Sequence, residues 1–579
     1  MRDFVRSGTV SAMRSLPATL LALLVGCNSP TYEAITAAQD QFETLGSTGS
    51  EDVAETTSDA VDSDAAGTEG ASASTGETGN ATDATGPGET GSATDTGNVT
   101  DTDDSPPVSD AEKPKIVSVE LPDNIYAAGP VPLAVQTEHT GSVHVTLDGA
   151  DAGELIAAGG GLFTGELPVH GAIDNGQHAI EVIAKQGPHE DHRPDFYNVS
   201  TPAPGTEAWS QAGPVGSRTN RVAITSARDL IEVGQTEING VPRPTIRKRS
   251  GVTGAEIWPE KTIVLDPREG AVVDVAVLPD DRMWVAMNVD TPNTDPLPRI
   301  VLLDADGHEV GIEVLGTTGR VVRALAADAD GGCFAVGLAG VMGDWDIAFW
   351  SINAAGVQTL GDTYDYRPPQ HAAHSFLDLA SDVVIDGDVA WIVGMSKGQH
   401  DNDLNDPAKY LRGVVVPMDL HTGKIVGSVI VAPPTDLWPQ SAFFGAALDP
   451  EGVLVTGYGC DLSCSKYRIE ASRYSVGGER TWFSHENTNS ALAYGSDITL
   501  DSQGRALVAG AVSQNGKLRG YVFAREIGIN GPILLEHWYP GVGASEALGI
   551  LRDSFDRIFP AGYITVSGET QARVTLLHG

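Results

Sequence analysis

The stretch DSQGRALVAG at 501–510 decides the fold. Ile498-Thr499-Leu500 leads in, Ser502-Gln503-Gly504 supplies a polar turn, and 506–509 lead out to Gly510. Alternation around a Ser/Gly turn reads as strand, turn, strand. Versions of it recur as SARDLIEVG at 226–234, DADGGCFAVG at 328–337, DGDVAWIVG at 386–394, DPEGVLVTG at 449–457 and DSFDRIFPAG at 553–562. A further copy, PDDRMWVAM at 279–287, lacks the closing Gly.

The closing positions 234, 287, 337, 394, 457, 510 and 562 lie between 50 and 63 residues apart. Between them comes a second hairpin with its own Gly turn, as in 347–352 before Gly356 or 521–524 before Gly531. Four short strands per period of about fifty residues describe the blade of a β-propeller, not a helical solenoid. Long helical patterns are absent, and Gly and Pro punctuate too often for them. Trp258, Trp482 and Trp538 mark several fourth strands. The last repeat stops at a third strand, 573–577, and the missing fourth appears ahead of the first repeat as Glu207-Ala208-Trp209. A ring closed by strands from both chain ends removes exposed sheet edges. The expectation is seven blades over 204–579, against a six-blade alternative in which 205–240 is a linker.

The chain has 579 residues, a formal net charge of −42 and 41% apolar residues. Such a balance excludes a nucleic-acid binder, which needs Lys and Arg to neutralise phosphates. Its main physical consequence is solubility. Residues 1–27 read as a targeting segment: Arg2, Arg6 and Arg14, then a short apolar run at 16–25, too short to span a bilayer. Residues 28–112 hold no Lys or Arg and, from about 45, little but Thr, Gly, Ser, Ala, Asp and Glu. Too little apolar surface is present to offset chain entropy, so 28–112 reads as a disordered acidic tether. At 113 the texture changes. Alternating runs such as SVHVTL at 142–147 and HAIEVIA at 178–184, spaced by Asp-Gly and Asn-Gly turns, predict a small β-sandwich over 113–203. The whole chain is therefore expected to be all-β.

Leu24-Val25-Gly26-Cys27 resembles the bacterial lipobox, which implies lipidation of Cys27 and removal of the peptide before it. Asn28 is not the Asp that favours inner-membrane retention, so the resemblance implies an outer-membrane lipoprotein of the cell envelope. The run NGQHAIEV at 175–182 resembles the late strand of bacterial immunoglobulin-like domains. The Asp…Gly turns and aromatic third strands such as DIAFW at 346–350 resemble repeat propellers of exported bacterial proteins. That implies a fold and an exported life, and no activity.

Several residues carry possible chemistry. Cys460 and Cys464 lie four apart after a strand, and outside the cytoplasm a disulfide is the natural reading. Cys333 sits among apolar residues and reads as core. Asp401, Asp403 and Asn405 alternate oxygen ligands as calcium loops do, but the run lacks the expected Gly and Glu; an acidic surface loop is the plainer reading. His371, His374 and His400 fall in the same blade or its entry loop. Asp382 and Asp497 stand three residues before Ile385 and Leu500, at equivalent places on inner strands, where they could face the pore and attract a cation. No motif of a hydrolase, a phosphate loop or a dinucleotide fold is present. No cofactor is implied, calcium being the one candidate ion. Partners are expected to be a membrane, through the lipid, and a protein or glycan.

Three readings follow. The first is a non-enzymatic binding or scaffold lipoprotein. The second is a polysaccharide-type hydrolase or lyase working in the propeller funnel, to be expected if two or more carboxylates with a His or Arg converge at the pore. The third is an adhesin using the long loop 396–410.

Overall fold

A computed structural model describes residues 113–579, apart from 259–261, 292–293, 315–319, 342–343, 367–375, 399–409, 434–437, 529–531 and 541–542. The targeting segment, Cys27 and the acidic tether lie outside the described residues. No α-helix occurs among those described.

Residues 115–199 form two facing sheets. One orders Lys115–Glu120, Gly129–Glu138, Leu162–Val169 and Ile156–Gly159; the other has five strands, with Gly176–Gln186 between His189–Val199 and Ser142–Leu147. Alternate residues turn inward, so Leu133, Val135, Val143, Val145, Phe163, Ile180, Val182 and Tyr197 make one apolar core.

Seven four-stranded antiparallel sheets follow, at 217–264, 270–314, 320–364, 376–431, 440–490, 493–538 and 545–577, numbered here as blades 1 to 7. Blade 7 takes its fourth strand, Glu207–Val215, from ahead of blade 1. Trp209 pairs with Leu576 and Ala212 with Arg573, so the ring is closed by both ends of the propeller. Trp482 and Trp538 do lie on fourth strands. Trp258 does not: it is buried just ahead of blade 1's short fourth strand, Ile263–Val264.

The repeated turn now has a physical cause. Asp501 Oδ1 accepts the N–H groups of Gln503 at 2.9 Å and Arg505 at 2.8 Å, and its other oxygen takes the Arg505 side chain. Asp328 and Asp553 cap their turns in the same way. A local carboxylate thus satisfies turn amides that no strand reaches. Two turns also clip their neighbours: Ser226 donates its N–H and hydroxyl to Asp281, and Ser502 does so to Asp556.

The closing Gly is explained by the inner strand. Every inner strand carries a β-bulge, and the Gly pairs with the residue just before it, as Gly495 with Gly510 and Phe443 with Gly457. There the inner strand's backbone crowds the second strand. A Cβ at Gly510 would stand 2.1 Å from the Tyr494 carbonyl oxygen, and one at Gly457 1.8 Å from that of Ala442. Blade 2 pairs Val272 with Met287 instead, and manages without the Gly.

Candidate functional site: the polar ring at the propeller axis

The residue immediately after each inner-strand bulge sets what the ring carries. In blade order these are Arg221, Asp274, Ala324, Asp382, Gly445, Asp497 and Gly549. Carboxylates in blades 2, 4 and 6 alternate with small residues in blades 3, 5 and 7. Blade 1, left over by the odd number, supplies an arginine.

Each carboxylate bridges two blades. Asp274 accepts the N–H of Val275 and of Leu325 in blade 3, each at 2.8 Å. Asp382 accepts those of Val383 and of Ala446 in blade 5, each at 2.9 Å. Asp497 accepts those of Ile498 and of Ile550 in blade 7, each at 2.9 Å. The receiving amide always follows the small residue, and at Gly445 and Gly549 the next inner strand crowds that residue. A Cβ at Gly445 would meet the Asp497 Cα at 2.6 Å, and one at Gly549 the Arg221 Cα at 3.3 Å.

Arg221 closes the ring. Its Nη1 donates to the Leu548 carbonyl of blade 7 at 2.6 Å, and its Nε stands 4.0 Å from Asp274. Burial alone would lower its pKa, but Asp497, Asp382 and Asp274 together hold it above its ordinary value. Burial pushes the three carboxyls up, against the pull of Arg221 and of the N–H donors. Asp382 and Asp497 thus face a cation at the axis, and that cation belongs to the chain itself. The convergence of three carboxylates with an Arg meets the pattern set out above for an enzyme. Every carboxylate oxygen already accepts one backbone N–H, which ties each carboxylate to two blades.

Asp274 and Arg221 were legible too. Both lie three residues before the strand's last apolar residue, Val277 and Ile224, as Asp382 and Asp497 lie before theirs. The signal was the register of the inner strands, which needed blades 1 and 2 to be aligned with 4 and 6.

A second buried polar group sits where blades 6, 7 and 1 meet. Tyr494 donates to Glu546 Oε2 at 2.7 Å, Tyr563 donates to the other oxygen, and the Arg218 guanidinium lies 4.8 Å over the Tyr563 ring. All four side chains are buried. In blade 4, Asp378 is fully buried, its Oδ1 has no hydrogen-bond partner among the described residues, and burial first, then Asp365 and Asp346, raise it to about 7 against bonds from Ser396 and the Tyr366 N–H. Cys460 and Cys464 are bonded to each other, and Cys333 is buried and free. Asp401, Asp403, Asn405, His371, His374 and His400 fall outside the described residues. Among those described, no three His, Cys, Asp or Glu side chains are grouped to hold a metal ion.

No family model matches the chain, and no curated protein matches it. Solved structures do. A polysaccharide lyase described as an ulvan lyase is 10% identical, with a TM-score of 0.40 over 62% of this chain and 95% of that one. The β-propeller domain of the Trilobed protease from Pyrococcus furiosus is 11% identical, with a TM-score of 0.36 over 64% and 94%. The first two extracellular domains of Drosophila Semaphorin 1b are 8% identical, with a TM-score of 0.36 over 65% and 87%. At that distance the likeness carries no activity, substrate or partner to this chain.

Proposed function

We propose that this protein is a lipid-anchored envelope protein whose acidic tether presents a sandwich and a seven-bladed propeller as a non-enzymatic binding platform. The observation that supports it most is the ring. The carboxylates that converge with an arginine serve as inter-blade fasteners, and the Tyr494–Glu546–Tyr563 group is buried. Anchoring rests on Cys27: one acyl chain contributes roughly 0.8 kcal/mol per buried methylene, and stable attachment needs more than one chain. The acidic tether, kept extended by like charges, would hold the folded part off the membrane.

The test is a two-sided assay on the detergent-extracted chain. A panel of neutral and acidic polysaccharides is incubated with it, and ultraviolet absorbance and reducing ends are followed alongside a glycan and protein pull-down. Retention of a specific glycan or protein with no cleavage supports the platform. Release of unsaturated or reducing fragments, abolished by Asp382→Asn or Tyr494→Phe, establishes the hydrolase or lyase instead. Loss of binding on removal of 396–410 alone would make the protein an adhesin through that loop.

A further inference from the structure

The sandwich meets the propeller around one short turn and the strand that leads into it. After strand Leu162–Val169, His170 packs its ring 6.4 Å from that of Phe555 in blade 7. Gly171 lies against the chain terminus: a Cβ there would stand 2.9 Å from the Gly579 carbonyl oxygen. Arg228 of blade 1 stacks 4.5 Å over Phe555 and reaches back to Glu166 at 3.3 Å. The same turn holds the connecting segment. Asn175 donates to the Thr201 carbonyl at 3.0 Å and accepts the Thr201 N–H at 2.7 Å. Thr201 opens the TPAPG run that leads to the propeller.

What holds the turn is a histidine with acceptors on both sides. His178 Nδ1 stands 2.7 Å from Asp148 Oδ2, and Nε2 faces the Asp174 carbonyl oxygen. A carboxylate and a carbonyl have no proton to give, so both ring nitrogens must donate, and only the imidazolium can do that. A neutral ring would turn a lone pair toward one of the two. Asp174 in turn fixes His170, accepting its N–H at 2.6 Å, with the His170 ring nitrogen 3.3 Å away. The His178 ring stacks on Tyr197 at 5.3 Å. Burial alone would lower the His178 pKa, but the Asp174 carbonyl and the Asp148 carboxylate outweigh it and raise it. Burial first, and then the charges of Asp148 and Asp174, push Tyr197 up to about 12.

We propose that His178 is a proton-operated latch on the joint between sandwich and propeller. As imidazolium it pins the 170–175 turn to Phe555, Gly579 and Thr201; as neutral imidazole it lets that turn go. The latch works whether the propeller binds or cleaves. Its sign follows from linkage: a raised histidine stabilises the folded joint fully below its unfolded value near 6.5, and that contribution is lost as pH rises through the folded value. The joint is therefore stiff in mildly acidic surroundings and loose in alkaline ones.

Spin labels at Tyr126→Cys and Val476→Cys, both strongly exposed sites, report the joint in the full chain. The expected result is a narrow distance distribution at pH 6 that broadens reversibly by pH 9, and a broad one at both pH values in His178→Gln. His192 also stands between two carboxylates, Glu181 and Glu190, but on the open sheet face. His192→Gln should therefore keep the pH response. An unchanged wild-type distribution from pH 6 to 9, or the same broadening in His178→Gln, overturns the latch. So does loss of the response in His192→Gln. Should His178→Gln not fold, the nitrogen-15 shifts of His178 in the unaltered chain decide: two protonated ring nitrogens at pH 6.5 support the latch, and a neutral tautomer sinks it.

Discussion

Arg221 is the lone cation facing three carboxylates at the axis among the described residues, and its side chain is only 16% exposed. Its removal would leave buried charge without a counter-charge, which costs about 3–5 kcal/mol in comparable cases. Arg221→Met should lower the melting temperature, and the loss should depend on pH. The carboxyls of Asp274, Asp382 and Asp497 are already raised by burial; without Arg221 they rise further. The folded state then holds more protons than the unfolded chain. Stability falls as pH climbs from about 4, the ordinary carboxylate value, through the raised values. Calorimetry of Arg221→Met at pH 5 and pH 8 should show the larger deficit at pH 8. An equal deficit at both would mean that the carboxylates do not lean on Arg221.

The hairpin that opens each blade was readable because its requirements are local. Asp501 caps amides two and four residues away, and Gly504 takes the positive φ, 72°, that the turn demands. Sequence neighbours that must meet leave a pattern a reader can find. The alternation of Asp and small residue around the ring is set between blades, about fifty residues apart, and only a full alignment of inner strands exposes it. The 170–175 turn left still less trace, since His178, Asp148 and Phe555 come from three separate parts of the chain. Trp258 shows the opposite hazard: a regular mark in the sequence that the fold places one segment early. At this scale the closing Gly is the sharpest test. Gly510→Ala must move the Tyr494 carbonyl or unmake the bulge, and overpacking of that kind costs typically 1–3 kcal/mol. Blade 2 accommodates Met287 at the equivalent position, so Met287→Gly should relieve no comparable clash and should not raise stability by that amount. Urea unfolding of both variants measures the difference, and a silent Gly510→Ala would remove the explanation given for the repeat.

Across the whole ring, blades adhere through apolar clusters of unequal size. Nineteen buried residues join blades 5 and 6, and eleven join 6 and 7, whereas five join 7 and 1. The last junction is where the two ends of the propeller meet, and polar contacts cross it: the Ala572 N–H donates to the Ser217 hydroxyl at 3.0 Å, and the Arg218 guanidinium lies 4.8 Å over the Tyr563 ring. Behind it, within blade 1, Glu232 takes the Arg249 side chain, lies 3.7 Å from Arg247 and accepts the Thr219 hydroxyl at 3.3 Å. Arg247 also fills the space beside Gly213, on the strand that closes blade 7. Trp209 is half-buried on that strand and donates to the Val252 carbonyl at 2.9 Å, so it fastens the closure without filling a deep core. A polar junction is specific but yields little net stability, because desolvation offsets most of the attraction. The ring should therefore open there first. In hydrogen exchange of the full chain, amides of Glu207–Val215 should exchange before those of the inner strand Gln440–Asp449. Glu232→Gln leaves Arg247 buried without its carboxylate and Arg249 with Glu256 alone, 3.6 Å away. It should speed exchange in blade 1 and on the strand Glu207–Val215 that Arg247 abuts, ahead of the other blades, with a stability loss of about 3–5 kcal/mol in total. A uniform increase around the ring, or earlier opening between blades 5 and 6, would show that the closing junction is not its weakest place.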